Sequence, residues 1–356
     1  PAGTRETQPD GRTTACSVMH EPFALFLNEV GPADKLNSDA SNHSTIDFLL
    51  RRMQRTGDFP TISRTLADIN RLTGDDDREA NADKLANVIL RDFALTGKLL
   101  KLVNSAFYGT RGAEVTSVSQ AVVFLGVEKV RMTANSLSFF GHMKGDSAVL
   151  KDSMTKSFLS GLISRHLAQR EKLKGAEEAF ICGMCQNLGE NLVMFYFADD
   201  YQDIDAVQRS KGLDKASAAR GVLGVSYSEL GAAVAKSWNL PRPIIESIRG
   251  VPPGPLAPPQ GETEKFRDFS VFANELCDLF QRCEPGEVED AIEELVKRFS
   301  ASFSVETSYC QKLVNACFEK LKQFAPIFEI NVASSEYCQS VQSWLDEQAD
   351  SAEQGE

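Results

Sequence analysis

Two cysteines separated by two residues, Cys182 and Cys185, are the first candidates for side-chain chemistry. A C-x-x-C pair can lower a thiol pKa for redox work or supply half of a zinc site. No second pair follows at a zinc-like distance, and the βα context of a thioredoxin-like motif is missing. We therefore interpret the eight cysteines of the chain as mostly reduced and packed in a core.

Histidines are few, which limits the chemistry open to the chain: His20, His43, His142 and His166. No two of them share the i, i+4 spacing that places a pair of metal ligands on one helix face. The sequence also lacks a G-x-x-x-x-G-K-[ST] phosphate loop, a G-x-S-x-G nucleophile elbow and an H-E-x-x-H zinc motif. We expect no catalytic centre of these kinds.

An asparagine and a serine, Asn104 and Ser105, follow the most strongly patterned segment of the sequence. Apolar residues recur there at three- and four-residue spacing, and Asp92 stands where a helix N-cap is needed. The pair predicts a helix C-terminus whose side chains satisfy backbone groups. The alternative is an interaction groove for a partner or ligand, lined by Asn104, Ser105, Phe107 and Tyr108.

Residues 117–137, SVSQAVVFLGVEKVRMTANSL, have the turn and spacing of a helix-turn-helix. A recognition helix presents polar or basic side chains to the bases, and Lys129 and Arg131 are available. The following Phe139 and Phe140 indicate a buried helix instead. The formal net charge of −12 also disfavours nucleic acid and anionic membranes. We expect no nucleic-acid partner, and a DNA-binding regulator remains an alternative.

The elements that must position these residues are all predicted to be helices. Apolar residues recur with helical spacing through most of the chain, and no segment alternates as a half-buried strand does. The predicted fold class is therefore all-α. Five prolines within residues 251–264 exclude regular helix there and predict a loop. Residues 1–43 are interpreted as a mostly disordered linker, and residues 346–356 as an acidic, disordered tail.

Length and composition are those of a globular protein without a membrane span. The 356 residues are 42% hydrophobic and 25% charged, and no apolar run reaches the roughly 20 residues that a membrane helix needs. Reduced cysteines favour a cytoplasmic location. The chain begins with Pro-Ala-Gly rather than methionine, so we expect a fragment or processed form that another domain could precede.

Three segments together resemble the HDOD domain, a helical module of bacterial signalling proteins related to the HD phosphohydrolases. They are DFPTISRTLADINRL at 58–72, KLVNSAFYG at 101–109 and AVVFLGVEKVR at 121–131. The resemblance extends from about Asp47 to Ile248 and implies a two-part helical bundle. We expect an HDOD domain at 44–250, which consists of an N-terminal subdomain at 45–145 and an HD-like subdomain at 146–250. A C-terminal helical segment at 265–345 follows, and it either completes the bundle or forms an appendage.

The segment GMCQNLGENL, residues 183–192, resembles the part of HD hydrolases that carries their adjacent His-Asp metal ligands. The resemblance places those ligands on Gln186 and Asn187, an early helix histidine on Lys156, and a later histidine on Tyr227. Carboxamides are poorer ligands than imidazole and carboxylate, and an ammonium group repels a cation. The resemblance therefore implies a degenerate site without catalytic residues, metal or cofactor, whose four residues form a vestigial pocket.

For function, the resemblance implies a non-catalytic regulatory or scaffold module of bacterial signal transduction. Its expected partners are a signalling protein or an attached sensory, kinase or receiver domain, while the sequence leaves the oligomeric state open. One alternative is a metal-dependent phosphohydrolase acting on a nucleotide or cyclic dinucleotide, which would need Glu190 or Glu229 in an unusual metal site. Another is ligand sensing, in which Lys156 pairs with an anion in the vestigial pocket.

Overall fold

A computed structural model of the chain describes residues 32–55, 59–71, 78–105, 108, 114–143 and 147–354, and confirms the all-α class. Within these residues the backbone forms seventeen α-helices and two short 3-10 turns, and no strand. The helices are, in chain order, α1 (Pro32–Gln54), α2 (Phe59–Arg71), α3 (Arg78–Leu90), α4 (Phe93–Val103), α5 (Val118–Leu125), α6 (Val127–His142), α7 (Ala148–Arg170), α8 (Ala176–Cys185), α9 (Leu188–Tyr196), α10 (Ala198–Lys211), α11 (Lys215–Leu223), α12 (Tyr227–Ser237), α13 (Arg242–Ile248), α14 (Glu262–Arg282), α15 (Val288–Phe299), α16 (Thr307–Phe328) and α17 (Glu336–Gln354).

Helix α4 begins where the sequence predicts, because Asp92 caps it. The backbone N–H of Leu95 donates to the Asp92 carboxylate at 2.9 Å, which satisfies one of the free donors of the first turn. Leu99 and Leu102 lie on the same face as Leu95, and all three are buried. This face packs against α6, which is also covered by α2, α3 and α5.

Helix α6 is the centre of the N-terminal part. Gly126 separates it from α5 with a φ of 89°, a conformation that an L side chain rarely adopts. Residues 130–140 of α6 are all buried, including Arg131, because α8 covers the face that α2–α5 leave open. A helix buried over these eleven residues has no polar face along its length to lay in a DNA groove, which disfavours the helix-turn-helix alternative.

The HD-like part, α7–α13, is built on α7. Helix α7 packs along α8, and α9 contacts α7 through Asn191. The Asn191 carboxamide accepts a hydrogen bond from Ser153 Oγ at 2.6 Å and donates one to Ser157 Oγ at 3.2 Å. These buried polar contacts fix the position of α9 relative to α7.

Helices α14–α17 are part of the same bundle. Helix α14 packs against α7, α8 and α13, α16 packs against α7, and α17 packs against both α14 and α7. Phe269 and Phe272 of α14 stack edge-to-face on Phe303, with ring centroids 5.0 and 5.2 Å apart. The residues after 261 thus share the core of the HD-like part rather than extending from it as an appendage.

Both ends of the described chain are more helical than the sequence suggests. Helix α1 begins at Pro32, inside the predicted linker, and proline is compatible with a first helical turn. Helix α17 continues to Gln354, within the predicted disordered tail. Residues 346–354 are rich in Glu, Gln and Ala, which favour helix, and they extend a helix that is anchored by buried Trp344 and Leu345. The rest of the predicted linker, residues 1–31, lies outside the described residues. None of the described helices has the length and apolar character needed to cross a bilayer.

Candidate functional site

Helix α14 presents two polar side chains, one helical turn apart, to the predicted vestigial pocket. Asn187 Nδ2 donates to Asn274 Oδ1 at 3.0 Å, and Lys156 Nζ donates to Asp278 Oδ1 at 2.6 Å. The Lys156 side chain is 6% exposed, so this is an ion pair largely removed from water. Because residues at i and i+4 share a helix face, α14 holds Asn187 and Lys156 side by side.

A second ion pair lies beside the first. Lys215, the first residue of α11, donates from Nζ to both carboxylate oxygens of Glu190, at 2.9 and 3.2 Å. Glu190 lies in the first turn of α9 and is buried, whereas the Lys215 side chain is half-exposed. The lysine therefore reaches inward from the surface to neutralise a carboxylate that burial would otherwise destabilise.

The two ion pairs are electrostatically coupled. Desolvation alone would raise the pKa of Asp278, but the ammonium groups of Lys156 and Lys215 outweigh it and hold that pKa below its ordinary value. Desolvation likewise opposes the charge on Lys215, yet the carboxylates of Glu190 and Asp278 raise the pKa of this lysine. We call Lys156, Asp278, Lys215 and Glu190 together the ion-pair centre.

Two tyrosines border the ion-pair centre. Burial and the nearby Glu190 carboxylate raise the pKa of Tyr201 to about 12 and that of Tyr227 further still. Tyr227 reaches this position because α9 and α12 touch backbone to backbone. A Cβ on Gly189 would lie 1.8 Å from the Tyr227 carbonyl oxygen, so only glycine allows this approach.

The structure thus brings Lys156, Asn187 and Tyr227 to one centre, and it places half-buried Gln186 next to Asn187 as the C-cap of α8. Sequence reasoning missed Asn274, Asp278 and Lys215, which complete the centre. Asn274 and Asp278 left a weak signal in FRDFSVFANELCDLF, where they form an i, i+4 polar pair among several apolar residues. Nothing local in the sequence connects that pair to Lys156.

This donor set does not fit the divalent metal of HD hydrolases. The aligned Lys156 is an ammonium group, a second one, Lys215, lies beside it, and each is bonded to a carboxylate that a metal would need. Glu229, the other carboxylate considered for an unusual site, closes the capping box of α12 with Ser226 and contacts Arg220 at 3.4 Å. In the part of the chain that is described, no three His, Cys, Asp or Glu side chains are grouped to hold a metal ion.

The second set of predicted residues, around the end of α4, makes contacts within the chain. Asn104 is the C-cap of α4, and its carboxamide exchanges two hydrogen bonds of 2.8 Å with the backbone of Val115. Ser105 Oγ donates to the Leu102 carbonyl at 2.6 Å, and the Tyr108 hydroxyl bonds to Thr133. These contacts are those of a helix end and turn. Phe107 lies outside the described residues, and the interaction groove stays a prediction.

The C-x-x-C pair is a core feature, as interpreted from the sequence. Cys182 and Cys185 are free thiols with 0% and 3% of their surface exposed. Burial raises the pKa of Cys185 to about 12 and that of Cys182 well above its ordinary range. Both sulfurs are therefore protonated at neutral pH, and a protonated, inaccessible thiol is neither a nucleophile nor a good metal ligand.

Comparison with known families agrees with this architecture. The HDOD domain family matches residues 59–251, which is more than half of the chain. The match covers the N-terminal part from α2 onward and the whole of the HD-like part. This protein belongs to the HDOD domain family.

Individual relatives are distant. An uncharacterized protein of Treponema pallidum (strain Nichols) is 27% identical over 199 residues, which are 55% of this chain and 38% of that protein. An HDOD domain protein of unknown function from Geobacter sulfurreducens has a similar structure, with a TM-score of 0.56, 19% identity and coverage of 81% of this chain and 98% of that one. A Shewanella amazonensis SB2B protein named "Putative phosphohydrolase" gives a TM-score of 0.55 at 22% identity, over 86% of this chain and 98% of the other. At these identities the structures establish the fold alone.

Proposed function

We propose that this protein is a non-catalytic regulatory or scaffold module of signal transduction, which acts by binding a protein partner or by coupling to an attached domain. The observation that carries the proposal is the ion-pair centre. The resemblance places a metal ligand of the HD hydrolases on Lys156, Lys215 lies beside it, and their charges are matched by Asp278 and Glu190. The membership in the HDOD family supports the signalling role.

Hydrolysis in an HD frame needs a bound cation that activates water and binds phosphate oxygens. Here a divalent cation would have to enter beside Lys156 and compete with its ammonium group for the Asp278 carboxylate at 2.6 Å. Separating a largely buried ion pair leaves an uncompensated charge, which typically costs about 3–5 kcal/mol. The centre is thus stabilised against the ion that the reaction requires.

Ligand sensing at the same place meets a similar obstacle. An anionic ligand at Lys156 or Lys215 would have to bind beside Asp278 or Glu190, whose negative charges repel it and already neutralise these ammonium groups. We therefore assign the centre a structural role and place the functional contacts of this module elsewhere on its surface.

Metal content tests the proposal. Full-length protein purified without added metal, and a second sample loaded with manganese, iron and zinc and then desalted, are measured by elemental analysis. We expect substoichiometric metal in both samples. One or two metals per chain would contradict the proposal if they are lost in Asp278→Asn but retained in Asp268→Asn. Asp268 is the matched control because it is a buried carboxylate of α14 that bonds to Ser302, outside the ion-pair centre.

A further inference from the structure

A cavity of about 580 Å³ lies at the start of α7 and shares no lining residue with the ion-pair centre. One wall is a stripe of α7 at spacing i, i+3, i+4 and i+7, formed by Ala148, Lys151, Asp152 and Thr155. The opposite wall is the connection between α16 and α17, residues 329–335. The cavity therefore lies between the HD-like part and the C-terminal helices.

The floor of the cavity is apolar. Phe140 at the end of α6 and Phe328 at the end of α16 meet edge-to-face, with ring centroids 5.2 Å apart at 73°. Met143 and Met154 complete this floor, and all four side chains are at least nine-tenths buried. Such a surface can pack against an aromatic or acyl group of a ligand, because methionine side chains are flexible and sulfur atoms and aromatic rings both make favourable contacts with apolar groups.

The polar rim is held in place by bonds within the protein. Asp152 Oδ1 accepts a hydrogen bond from Ser335 Oγ at 2.6 Å, which ties the α7 wall to the start of α17. Glu329, in a left-handed conformation with a φ of 58°, pairs with Lys98 of α4 at 2.7 Å. The walls are thus joined to each other and to the N-terminal part, which makes the cavity preformed.

We propose that this cavity binds an amphipathic small molecule, whose aromatic or short acyl part packs on Phe140 and Phe328 and whose polar end lies at the rim. Its volume falls within the range of roughly 300–1,000 Å³ that is usual for drug-sized ligands, and its apolar floor with a polar rim is the usual chemistry of such sites. This inference goes beyond the proposed function and does not depend on it.

Occupancy of the cavity would have a mechanical consequence. The ligand would contact α6, α7 and the 329–335 connection, and so all three parts of the fold at once. A molecule that binds only when these parts are in the described arrangement stabilises that arrangement. Binding in the cavity would thus allow the protein to respond to a small molecule.

The test uses the neutral fluorescent probe N-phenyl-1-naphthylamine with full-length protein. We expect saturable fluorescence enhancement, and binding weaker by roughly tenfold or more in Ala148→Trp, because an indole there fills the cavity. Val149→Trp is the matched control, since Val149 is the next residue, is 57% exposed and does not line the cavity. Its affinity should stay within roughly twofold of the wild-type value.

A second pair of variants guards against misfolding. Ser334→Trp approaches the cavity from the opposite wall, and exposed Ala333→Trp is its control. Each variant is first checked by circular dichroism and thermal unfolding. Weaker binding in both folded cavity variants, with wild-type binding in both controls, supports the proposal. Absence of saturable binding to the wild type, or equal effects in cavity and control variants, would overturn it.

Discussion

Lys156 is half of an ion pair that is largely removed from water. A buried ammonium group is costly unless a charge and hydrogen bonds compensate it. Asp278 provides that compensation at 2.6 Å, from a helix 122 residues further along the chain. The lysine and the aspartate therefore depend on each other, and neither can be removed alone without leaving a charge in a largely apolar environment.

A double-mutant cycle on Lys156→Met and Asp278→Leu measures this dependence. We expect Lys156→Met alone to lower the free energy of unfolding by about 3 kcal/mol or more, because Asp278 loses its closest cation. The double variant should be destabilised by less than the sum of the single variants, with a coupling energy of about 1–3 kcal/mol in urea unfolding.

The same cycle on Glu246→Gln and Arg249→Gln serves as the control. That ion pair is half-exposed and joins residues of neighbouring turns, so its coupling energy should stay below about 1 kcal/mol. A coupling between Lys156 and Asp278 no larger than that of the surface pair would show that the centre does not depend on paired charges.

At single positions, the sequence predicted the interactions that join residues close together in the chain. Asp92 was predicted as an N-cap, and its carboxylate accepts a hydrogen bond from the backbone N–H of Leu95, three residues later. The partners of Lys156 and Glu190 could not be predicted in this way. A tertiary ion pair leaves no periodic signal, because its geometry is set by helix packing rather than by the residues between the two partners.

Among the elements, the contact between α9 and α12 determines how closely the site is assembled. Gly189→Ala would place a Cβ 1.8 Å from the Tyr227 carbonyl oxygen and 2.9 Å from the Gly231 backbone nitrogen. Backbone atoms cannot yield as a flexible side chain can, so the helices must separate. We expect a loss of unfolding free energy of about 3 kcal/mol or more, measured by urea unfolding.

The control for this prediction is Gly221→Ala in α11, where an added Cβ has nothing within 4 Å. Alanine favours an exposed helix over glycine, so this variant should gain about 0.5–1 kcal/mol. Equal effects of the two substitutions would mean that glycine at 189 serves only backbone flexibility and not the close approach of α9 to α12.

Helix positions were largely predictable from apolar spacing, as in α4, which begins after Asp92 and ends at Asn104. Helix ends were less so, since α1 begins at Pro32 and α17 reaches Gln354. Composition alone favoured a linker and a tail there. The helical propensity of residues 346–354 was present in the sequence, but a polar segment is helical mainly when a packed helix already extends into it.

For the whole molecule, the ion-pair centre joins more of the chain than the family match covers. Its four members come from α7, α9, α11 and α14, and the first three belong to the matched residues 59–251. Asp278 of α14 lies beyond that match. Helix α14 therefore contributes a charge to the middle of the HD-like part, in addition to the apolar core that it shares with α7 and α8.

The charge pairing predicts how stability depends on pH. The folded pKa of Asp278 lies below its unfolded value of about 3.9, so its contribution is present above that value and is lost as pH falls through the folded pKa. The folded pKa of Lys215 lies above its unfolded value of about 10.4, so its contribution is present below that value and is lost as pH rises through the folded pKa.

Urea unfolding of the wild type and two variants across this pH range separates the two contributions. Asp278→Asn should mainly flatten the acid limb of the stability curve, and Lys215→Met should mainly reduce the loss on the alkaline limb, with a smaller effect of each on the other limb because the two charges interact. The raised pKa values of Tyr201 and Tyr227 also destabilise the fold above about pH 10, so the Lys215 contribution is taken as the difference between variant and wild type. If both variants kept the wild-type slope at both ends, the charges would not stabilise the fold through this centre, and the structural role proposed for it would fail.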